Sequence, residues 1–473
     1  MKRRMALAPL HWSPMSTKYA HVALLRRLPR RATPFTYRLP EDLTAAVGSF
    51  VVVSLRGRRM TGVIVSISRE SDVADPAAIQ SVLDVPPLLE RDLAFYNALR
   101  RRTYQSWHST LHAAIPDVPK RNRESTTPSK AVTPLSIPER DVPVVQTIAR
   151  HIHEHDSVRV ALPSDRIGLA CVATSVHRDP RPHLIVVGDL HTAETLVSIL
   201  PSAALYGGIM SKSVAHERWL DIRLGRRTIV TTRMGALVPP SSATRVMVLG
   251  SGSDDLLQSD QNPHYDARWC VQQWSALQGN PVAFLDVLPR VEDGTLTQDV
   301  WQTPPVIIID MSQARPASDD WLMSDELRDV IANADPSHGP FILYCNRVWK
   351  EGGPQTTTRD VADRLRSWFP QIPIAVVEAN DPLPDHGLVV VTRTFLYRLS
   401  LIRPRASGVA IVRAEQELAY RGFRSLEQAA RLLRRLTSWA ASANAPCLIQ
   451  TDAPDTVTAA LGSTILWHAS ELA

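Results

Sequence analysis

The chain has 473 residues, of which 44% are hydrophobic and 21% are charged, and its formal net charge is +6. At roughly 150 residues per domain this length predicts about three domains, and the composition excludes a disordered chain. No apolar stretch approaches the ~20 residues of a membrane-spanning helix, so we expect no membrane partner. The basic start is followed by an apolar run that is interrupted at residues 11–14, which argues against a signal peptide and favours a cytoplasmic location.

The four cysteines, at positions 171, 270, 345 and 447, lie at least 75 positions apart. This spacing excludes the Cys-x2-4-Cys pairs of a zinc knuckle and the dense cysteine framework of a small secreted domain. We therefore expect no metal site and no disulfide scaffold.

The excess positive charge is confined to the first quarter of the chain. Residues 1–130 contain 21 Lys and Arg against 10 Asp and Glu, a balance of +11, whereas residues 131–473 have a balance of −5. Because neutralising phosphates releases condensed counterions, this asymmetry is typical of a nucleic-acid-binding module joined to a neutral body. A basic surface that serves only solubility is the alternative.

Residues 19–87 contain short β-type runs separated by turn residues. The runs 51–55 and 61–67, rich in β-branched residues, flank the basic turn 56–59. This pattern predicts a hairpin within a small all-β, barrel-like domain.

Three further segments adjoin this domain. Residues 1–18 form a basic tail, and residues 88–118 show the three- and four-residue apolar spacing of helices, with three consecutive arginines at 100–102. Residues 119–143 contain Pro, Ser, Thr, Lys and Arg with hardly any large apolar side chain, which predicts an exposed linker.

After the linker, short apolar runs alternate with helical stretches in two sets. Continuous apolar runs suit strands that are covered on both faces, so each set predicts a largely parallel sheet flanked by helices. We expect one α/β lobe over residues 144–300 and a second over residues 301–473. A helicase-type motor, a pair of nucleotide-binding lobes and a two-domain transferase all fit this architecture.

The chemistry of a nucleotide-driven motor is missing from the positions where it belongs. Such a motor needs a glycine-rich turn that ends in Gly-Lys-Ser/Thr, and a carboxylate at a strand end to position magnesium. After the first strand of the body, Pro163 lacks an amide donor and Ile167 stands where the lysine is required. The fourth strand continues as Gly-Ser-Gly-Ser at 250–253. We therefore predict no catalytic residues and no bound cofactor.

The N-terminal β domain resembles the 3′-end DNA-binding domain of the primosomal protein N′ (PriA) family, which acts in bacterial replication restart. The resemblance rests on residues 20–25, 34–41, 48–53 and 56–65. It implies a pocket for a 3′ nucleotide, in which a Phe/Tyr pair stacks on a base and arginines contact phosphates. The family usually has an acidic residue at the position of Thr36 and often a lysine near Ala77. By position the DNA-binding roles pass to Phe35, Thr36, Tyr37, Arg56, Gly57, Arg58 and Arg59.

The resemblance continues through the body, for example at residues 263–268 and 449–451. It implies two RecA-like (superfamily 2 helicase-type) lobes whose motifs are degenerate. The phosphate loop corresponds to 164–168, the Asp-Glu-Glu-His box to 250–253, the Ser-Ala-Thr motif to 286–288 and the Gly-Arg-Ala-Gly-Arg finger segment to 438–442. The family's eight-cysteine zinc region is replaced by a short link at 348–356.

The leading hypothesis is a replication-restart protein that recognises forked or 3′-ended DNA and works without ATPase or helicase activity. Its implied partners are primosome and helicase-loading proteins and single-stranded-DNA-binding protein, and its implied location is the nucleoid. Two alternatives stay open: an ATP-dependent 3′-5′ DNA helicase with unconventional nucleotide ligands, and a protein-interaction scaffold whose DNA domain has decayed.

Overall fold

The computed structural model describes residues 18–118, 135–200, 202–314, 322–334, 339–346, 357–378, 381–398, 405–418 and 424–472. The predicted basic tail up to residue 17, most of the predicted linker and the link at 348–356 lie outside the described residues. Two compact units divide the chain: residues 1–117 with 260–265, and residues 118–259 with 266–473.

The first unit contains a five-stranded antiparallel sheet in the order β2-β1-β4-β3-β5. The backbone of Arg38 bonds to the carbonyl and amide groups of Ala77 and Ile79, and the amide of Gln80 donates to Val52. The segment around residue 78 thus joins β2 to β3 and closes the sheet, which confirms the predicted β domain. Its strands are β1 (Lys18–Leu24), β2 (Phe35–Leu39), β3 (Phe50–Leu55), β4 (Arg58–Ser68) and β5 (Ser81–Val82).

The predicted hairpin is formed by β3 and β4, in which Leu55 pairs with Arg58. Only Arg56 and Gly57 separate the strands, and both have positive φ angles, 50° and 76°. This is the geometry of a type I′ turn, whose twist matches that of the flanking strands and which favours glycine at its second position.

Two helices, α1 (Glu90–Arg102) and α2 (Trp107–Ala114), belong to the same compact unit as the sheet. His108 on α2 is fully buried, accepts a hydrogen bond from the amide of Leu24 at 2.8 Å and contacts the carbonyl oxygen of Thr33 at 2.9 Å. Because both ring nitrogens bond to backbone groups at the end of β1 and in the following loop, α2 is fixed to that end of the sheet.

The second unit contains two α/β lobes, which we call lobe 1 and lobe 2. Lobe 1 is built on a seven-stranded parallel sheet in the order β14-β6-β13-β10-β7-β9-β8. Helices α3 (Val142–Glu154), α4 (Asp165–Arg178), α5 (Leu190–Ile199), α6 (Lys212–Leu224) and α7 (Ala267–Gln278) accompany it. The strands in this part of the chain are β6 (Ser157–Ala161), β7 (His183–Val187), β8 (Ala204–Tyr206), β9 (Ile229–Thr231), β10 (Arg245–Leu249), the short β11 (Leu257–Gln258) and β12 (Tyr265–Asp266) outside the sheet, β13 (Val282–Asp286) and β14 (Gln298–Asp299).

Lobe 2 contains a six-stranded parallel sheet in the order β15-β20-β19-β16-β18-β17. The two parallel sheets confirm the α/β architecture that the apolar runs predicted. The strands are β15 (Ile307–Asp310), β16 (Phe341–Tyr344), β17 (Ile374–Val377), β18 (Leu388–Val391), β19 (Gly408–Ile411) and β20 (Cys447–Thr451), and the helices are α8 (Asp325–Asn333), α9 (Thr358–Trp368), α10 (Glu415–Leu418), α11 (Ser425–Ser442), α12 (Pro454–Leu461) and α13 (Thr464–Leu472).

All four cysteines are free and buried. In the part of the chain that the structure describes, no three His, Cys, Asp or Glu side chains are grouped so that they could hold a metal ion. None of the described helices is long and apolar enough to cross a membrane.

A buried charge cluster ties α3 to the lobe 1 sheet. The Arg245 guanidinium donates to the Asp179 carboxylate at 3.1 Å and to the carbonyl oxygens of Ile152 and His153 in the last turn of α3. Cations at a helix C-terminus satisfy carbonyls that lack an intrahelical partner. Beside this cluster lies His183, which is 1% exposed, and burial lowers its pKa to about 4.

His183 makes lobe 1 sensitive to acid. Its pKa in the unfolded chain is near 6.5, so below that pH the unfolded state binds a proton that the folded state excludes, and stability falls until about pH 4. Between pH 7 and pH 5, we expect the free energy of unfolding to fall by about 2 kcal/mol less in His183→Leu than in wild type, because the variant lacks this imidazole. Urea unfolding at both pH values measures this, with the exposed His191→Leu as control. Equal losses in wild type and His183→Leu would contradict the prediction.

Candidate functional sites

Seven exposed arginines of the first unit lie in the loop and the turn at one end of the barrel. Leu24 at the end of β1 pairs with Gly62 near the start of β4, so the loop after β1 and the turn before β4 lie at the same end. Each of these arginines is solvent-exposed. Exposed guanidinium groups at one end give the electrostatic footprint that phosphate binding requires. The loop contributes Arg26, Arg27, Arg30 and Arg31, and the turn and the start of β4 contribute Arg56, Arg58 and Arg59.

The structure does not support the interpretation of Tyr37 as half of an exposed stacking surface. Tyr37 is 3% exposed and belongs to the barrel core, and its hydroxyl donates to the carbonyl oxygen of Ser54 at 3.1 Å. Phe35, two positions earlier on β2, is half-buried, and its ring centroid lies 5.3 Å from that of His108. Of the two rings, only Phe35 presents part of its face to solvent.

Thr36 lies in a polar cluster that the sequence did not indicate. Its hydroxyl donates to the Asp72 carboxylate at 2.6 Å and lies 3.2 Å from Nδ1 of His21. The hydrogen bond from Thr36 lowers the pKa of Asp72, so this exposed carboxyl is charged at neutral pH. An acidic side chain from the loop after β4 therefore stands beside the position where the resembled family carries its own acidic residue.

A cleft with a cavity volume of about 90 Å³ lies between lobe 1 and lobe 2. Its charges are divided between the lobes: lobe 1 contributes four carboxylates and lobe 2 contributes three arginines. The charged lining residues are Asp165, Asp189, Asp255 and Asp286 on one side and Arg393, Arg431 and Arg435 on the other.

The predicted phosphate-loop position lies at this cleft without the shape of a phosphate cradle. β6 ends at Ala161 and α4 begins at Asp165, and the amide of Ile167 is already bonded to the hydroxyl of its N-cap residue Ser164. The guanidinium of Arg435 donates to the Asp165 carboxylate at 2.6 Å. Burial lowers the pKa of Arg435, but the adjacent Asp165 more than offsets this effect and raises it. A carboxylate–arginine pair thus stands where a motor would bind phosphate.

Asp286, at the end of β13, connects the segments predicted to correspond to the Asp-Glu-Glu-His box and the Ser-Ala-Thr motif. Its carboxylate accepts hydrogen bonds from the amides of Gly252, at 2.7 Å, and Leu288, at 3.0 Å. Arg431 of lobe 2 approaches the same carboxylate to 3.4 Å and also pairs with Glu427 at 2.8 Å. A Cβ on Gly252 would lie 1.8 Å from the Arg431 guanidinium, so glycine is required for this close approach. All these charged side chains are buried.

The predicted finger segment, residues 438–442, contains no arginine and does not line the cleft. The side chains of α11 that line the cleft are Gln428, Arg431, Leu432 and Arg435, which form one helical face. Residues 438–442 lie a further turn along α11, beyond this face. The two arginines that line the cleft on this face, Arg431 and Arg435, pair with carboxylates of lobe 1.

Arg434, also on α11, is fully buried. Its guanidinium donates to the carbonyl oxygens of Ala460 and Gly462, near the end of α12, and to that of Val287 in lobe 1 at 3.2 Å. It also lies over the ring of Trp301, 4.7 Å from the centroid. Desolvation lowers its pKa to about 10, yet the side chain remains charged at neutral pH. Arg434 thereby bonds lobe 2 to the same lobe 1 segment as Arg431.

The fold and the charge distribution define a protein with a small basic β domain followed by two lobes that resemble RecA-like helicase lobes. Residues 22–116 match the family model of the PriA 3′ DNA-binding domain (3′BD). The matched stretch includes both α1 and α2.

No curated protein sequence matches the chain. Among solved structures, an ATP-dependent Type ISP restriction-modification enzyme LlaBIII bound to DNA is similar at 8% identity and a TM-score of 0.38, over 67% of this chain and 28% of that one. S. cerevisiae Dbp5 L327V bound to RNA and ADP BeF3 is similar at 10% identity and a TM-score of 0.41, over 70% of this chain and 94% of that one. The chain thus spans little more than a quarter of the first of these proteins.

The pair between Asp165 and Arg435 should couple the lobes energetically. The two side chains are 25% and 21% exposed, so the pair is shielded from water but not completely dehydrated. In a double-mutant cycle with Asp165→Asn and Arg435→Met, we expect a coupling energy of about 1–2 kcal/mol in chemical unfolding. The same cycle on Asp363 and Arg366, an exposed pair on α9, should give under about 0.5 kcal/mol. Additive effects at Asp165 and Arg435 would contradict a stabilising pair.

Proposed function

We propose that the protein binds forked or 3′-ended DNA in replication restart, and that it does so without hydrolysing ATP. The observation that carries this proposal is the 3′ DNA-binding domain match at residues 22–116, on a barrel whose arginines are exposed at one end. Arginines supply the sequence-independent part of DNA affinity through phosphate contacts, which suits a protein that recognises the structure of a fork rather than its sequence.

The residues at the barrel end have separate roles in this proposal. Arg56, Arg58 and Arg59 contact the phosphates of the strand that ends at the site, and Gly57 keeps the turn tight. Phe35 offers the exposed part of its ring to the terminal base. Asp72, held by Thr36, is placed to accept a hydrogen bond from a terminal 3′ hydroxyl, a role for which an ionised carboxylate is suited. Tyr37 supports the fold.

The absence of hydrolysis follows from the chemistry of the cleft. Phosphoryl transfer needs cationic groups and magnesium around the transferred phosphate. Here Asp165 and Asp286 present negative charge on lobe 1, and Arg431 and Arg435 are already paired with them. A triphosphate would have to break these pairs and approach carboxylates. In our proposal the lobes form a fixed body that recruits primosome and helicase-loading proteins, and single-stranded-DNA-binding protein, at the nucleoid.

DNA affinity should depend on the arginines of the β3–β4 turn. We expect the full-length variant Arg58→Ala/Arg59→Ala to bind a 3′-ended fork about 10- to 100-fold more weakly, and to lower the slope of log affinity against log salt by about 1.4, or ~0.7 per single-strand phosphate contact. Fluorescence anisotropy over a series of salt concentrations measures both quantities. Arg178→Ala, an exposed arginine at the end of α4 in lobe 1, is the control. If the double variant and the control behave alike, the turn does not bind DNA.

The protein should release no phosphate from ATP above a protein-free blank, with or without forked DNA, because the cleft lacks a phosphate cradle. A phosphate-release assay on stringently purified protein measures this. The informative control is Arg431→Ala. A DNA-stimulated release that disappears in Arg431→Ala would establish the alternative, a helicase with unconventional nucleotide ligands, and would contradict the proposal.

A further inference from the structure

A second concentration of arginine and aromatic side chains lies where α1 meets α2. We define the α1–α2 corner as Arg100, Arg101, Arg102, Tyr104 and Trp107. No aspartate or glutamate occurs between positions 92 and 117. The family match at 22–116 includes the corner, but none of its residues was among the predicted site residues.

Tyr104 adopts a backbone conformation that favours glycine. Thr103 caps the end of α1, the amide of Gln105 donates to the carbonyl of Arg100 at 2.9 Å, and the amide of Tyr104 donates to that of Arg101 at 3.4 Å. These two bonds define a Schellman motif with Tyr104 at the position after the cap, where its φ angle is +52°. A side chain at this position costs free energy because its Cβ crowds the backbone.

Burial of the Tyr104 side chain does not offset this cost. The residue is 79% exposed, the largest exposed fraction among the large hydrophobic side chains of the first unit that the structure describes. Beside it, Arg101 and Arg102 are exposed, and the guanidinium of Arg100 lies 5.1 Å from the centre of the Trp107 ring. An exposed aromatic ring flanked by arginines is the combination with which proteins bind unpaired nucleic acid.

The corner adjoins the arginine loop that follows β1. The hydroxyl of Ser109 on α2 accepts from the amide of Leu28 at 3.2 Å and donates to its carbonyl at 2.9 Å, so α2 holds the loop directly. Arg27 and Gln105 bond to the neighbouring residues Gln261 and Asn262 of the same compact unit. The arginines of the loop therefore connect the β3–β4 turn with the α1–α2 corner along one basic surface.

We propose that the α1–α2 corner is a second DNA contact, which takes an unpaired nucleotide of a strand that leaves the barrel end. Its base stacks on Tyr104, and Arg101 and Arg102 contact the flanking phosphates. An unpaired strand fits better than a duplex, because the bases of a duplex stack on each other and present no open face to an aromatic ring. This proposal rests on the proposed DNA binding and adds the class of DNA that the corner recognises.

The test compares Tyr104→Gly with Tyr104→Phe in the full-length protein. The probes are two labelled 3′-ended forks of one sequence, the first with a single-stranded arm and the second with that arm made duplex. Tyr104→Gly removes the ring and relieves the backbone strain, so it should raise the melting temperature slightly and yet weaken binding to the first fork about 5- to 100-fold, the usual effect of losing one stacked base. Tyr104→Phe should bind within about twofold of wild type, since the ring is retained.

A further variant tests the arginines of the corner. The combined outcomes distinguish a failure of this inference from a failure of the proposed function. Arg101→Ala should lower the salt slope on the first fork by about 0.7, whereas the Arg178→Ala control should not. Wild-type binding by Tyr104→Gly, or an equal loss on both forks, would overturn the inference. If Arg58→Ala/Arg59→Ala still weakens binding in that case, the proposed function stands without it. A wild-type protein that binds neither fork at low salt would refute both.

Discussion

The contact between Arg431 on α11 and Asp286 at the end of β13 fixes how the two lobes meet. Asp286 also holds the amides of Gly252 and Leu288, so one carboxylate joins two strand ends of lobe 1 to a helix of lobe 2. A buried ion pair gains little net stability, because desolvation offsets its attraction, but removal of one partner leaves an uncompensated charge. Replacement of either side chain alone should therefore weaken the contact between the lobes by more than the intact pair stabilises it.

The arginines of α11 and those of the first unit differ in their surroundings. The cationic side chains of α11 are occupied within the body, through Asp165 for Arg435 and through backbone carbonyls for Arg434. Most of the exposed arginines of the first unit lie at one end of its barrel and at the α1–α2 corner. Their phosphate contacts would give DNA affinity without a nucleotide-dependent step, and the body would present the same surface to partner proteins throughout.

The sequence predicted the features that depend on local patterns. The hairpin around Gly57 followed from a basic turn between β-branched runs, and the two parallel sheets followed from continuous apolar runs. The burial of Tyr37 could also have been predicted, because successive side chains on a strand point to opposite faces and Tyr37 and Leu39 alternate with the exposed Arg38. The pairs that Arg431 and Arg435 make across the cleft could not be predicted, because their partners Asp286 and Asp165 lie far away in the sequence. Asp72 reaches Thr36 from 36 positions away, which no local pattern reveals.

The distance between the lobes tests the central claim most directly. The four native cysteines are buried, so dyes can be attached to Glu154→Cys in lobe 1 and Asp385→Cys in lobe 2, both at exposed positions. Single-molecule energy transfer can then be recorded with forked DNA, with Mg-ATP and with both together. A fixed body predicts one energy-transfer efficiency that is unchanged in every condition. A second population that appears only with ATP would show that the lobes open and close on nucleotide, and would contradict the account.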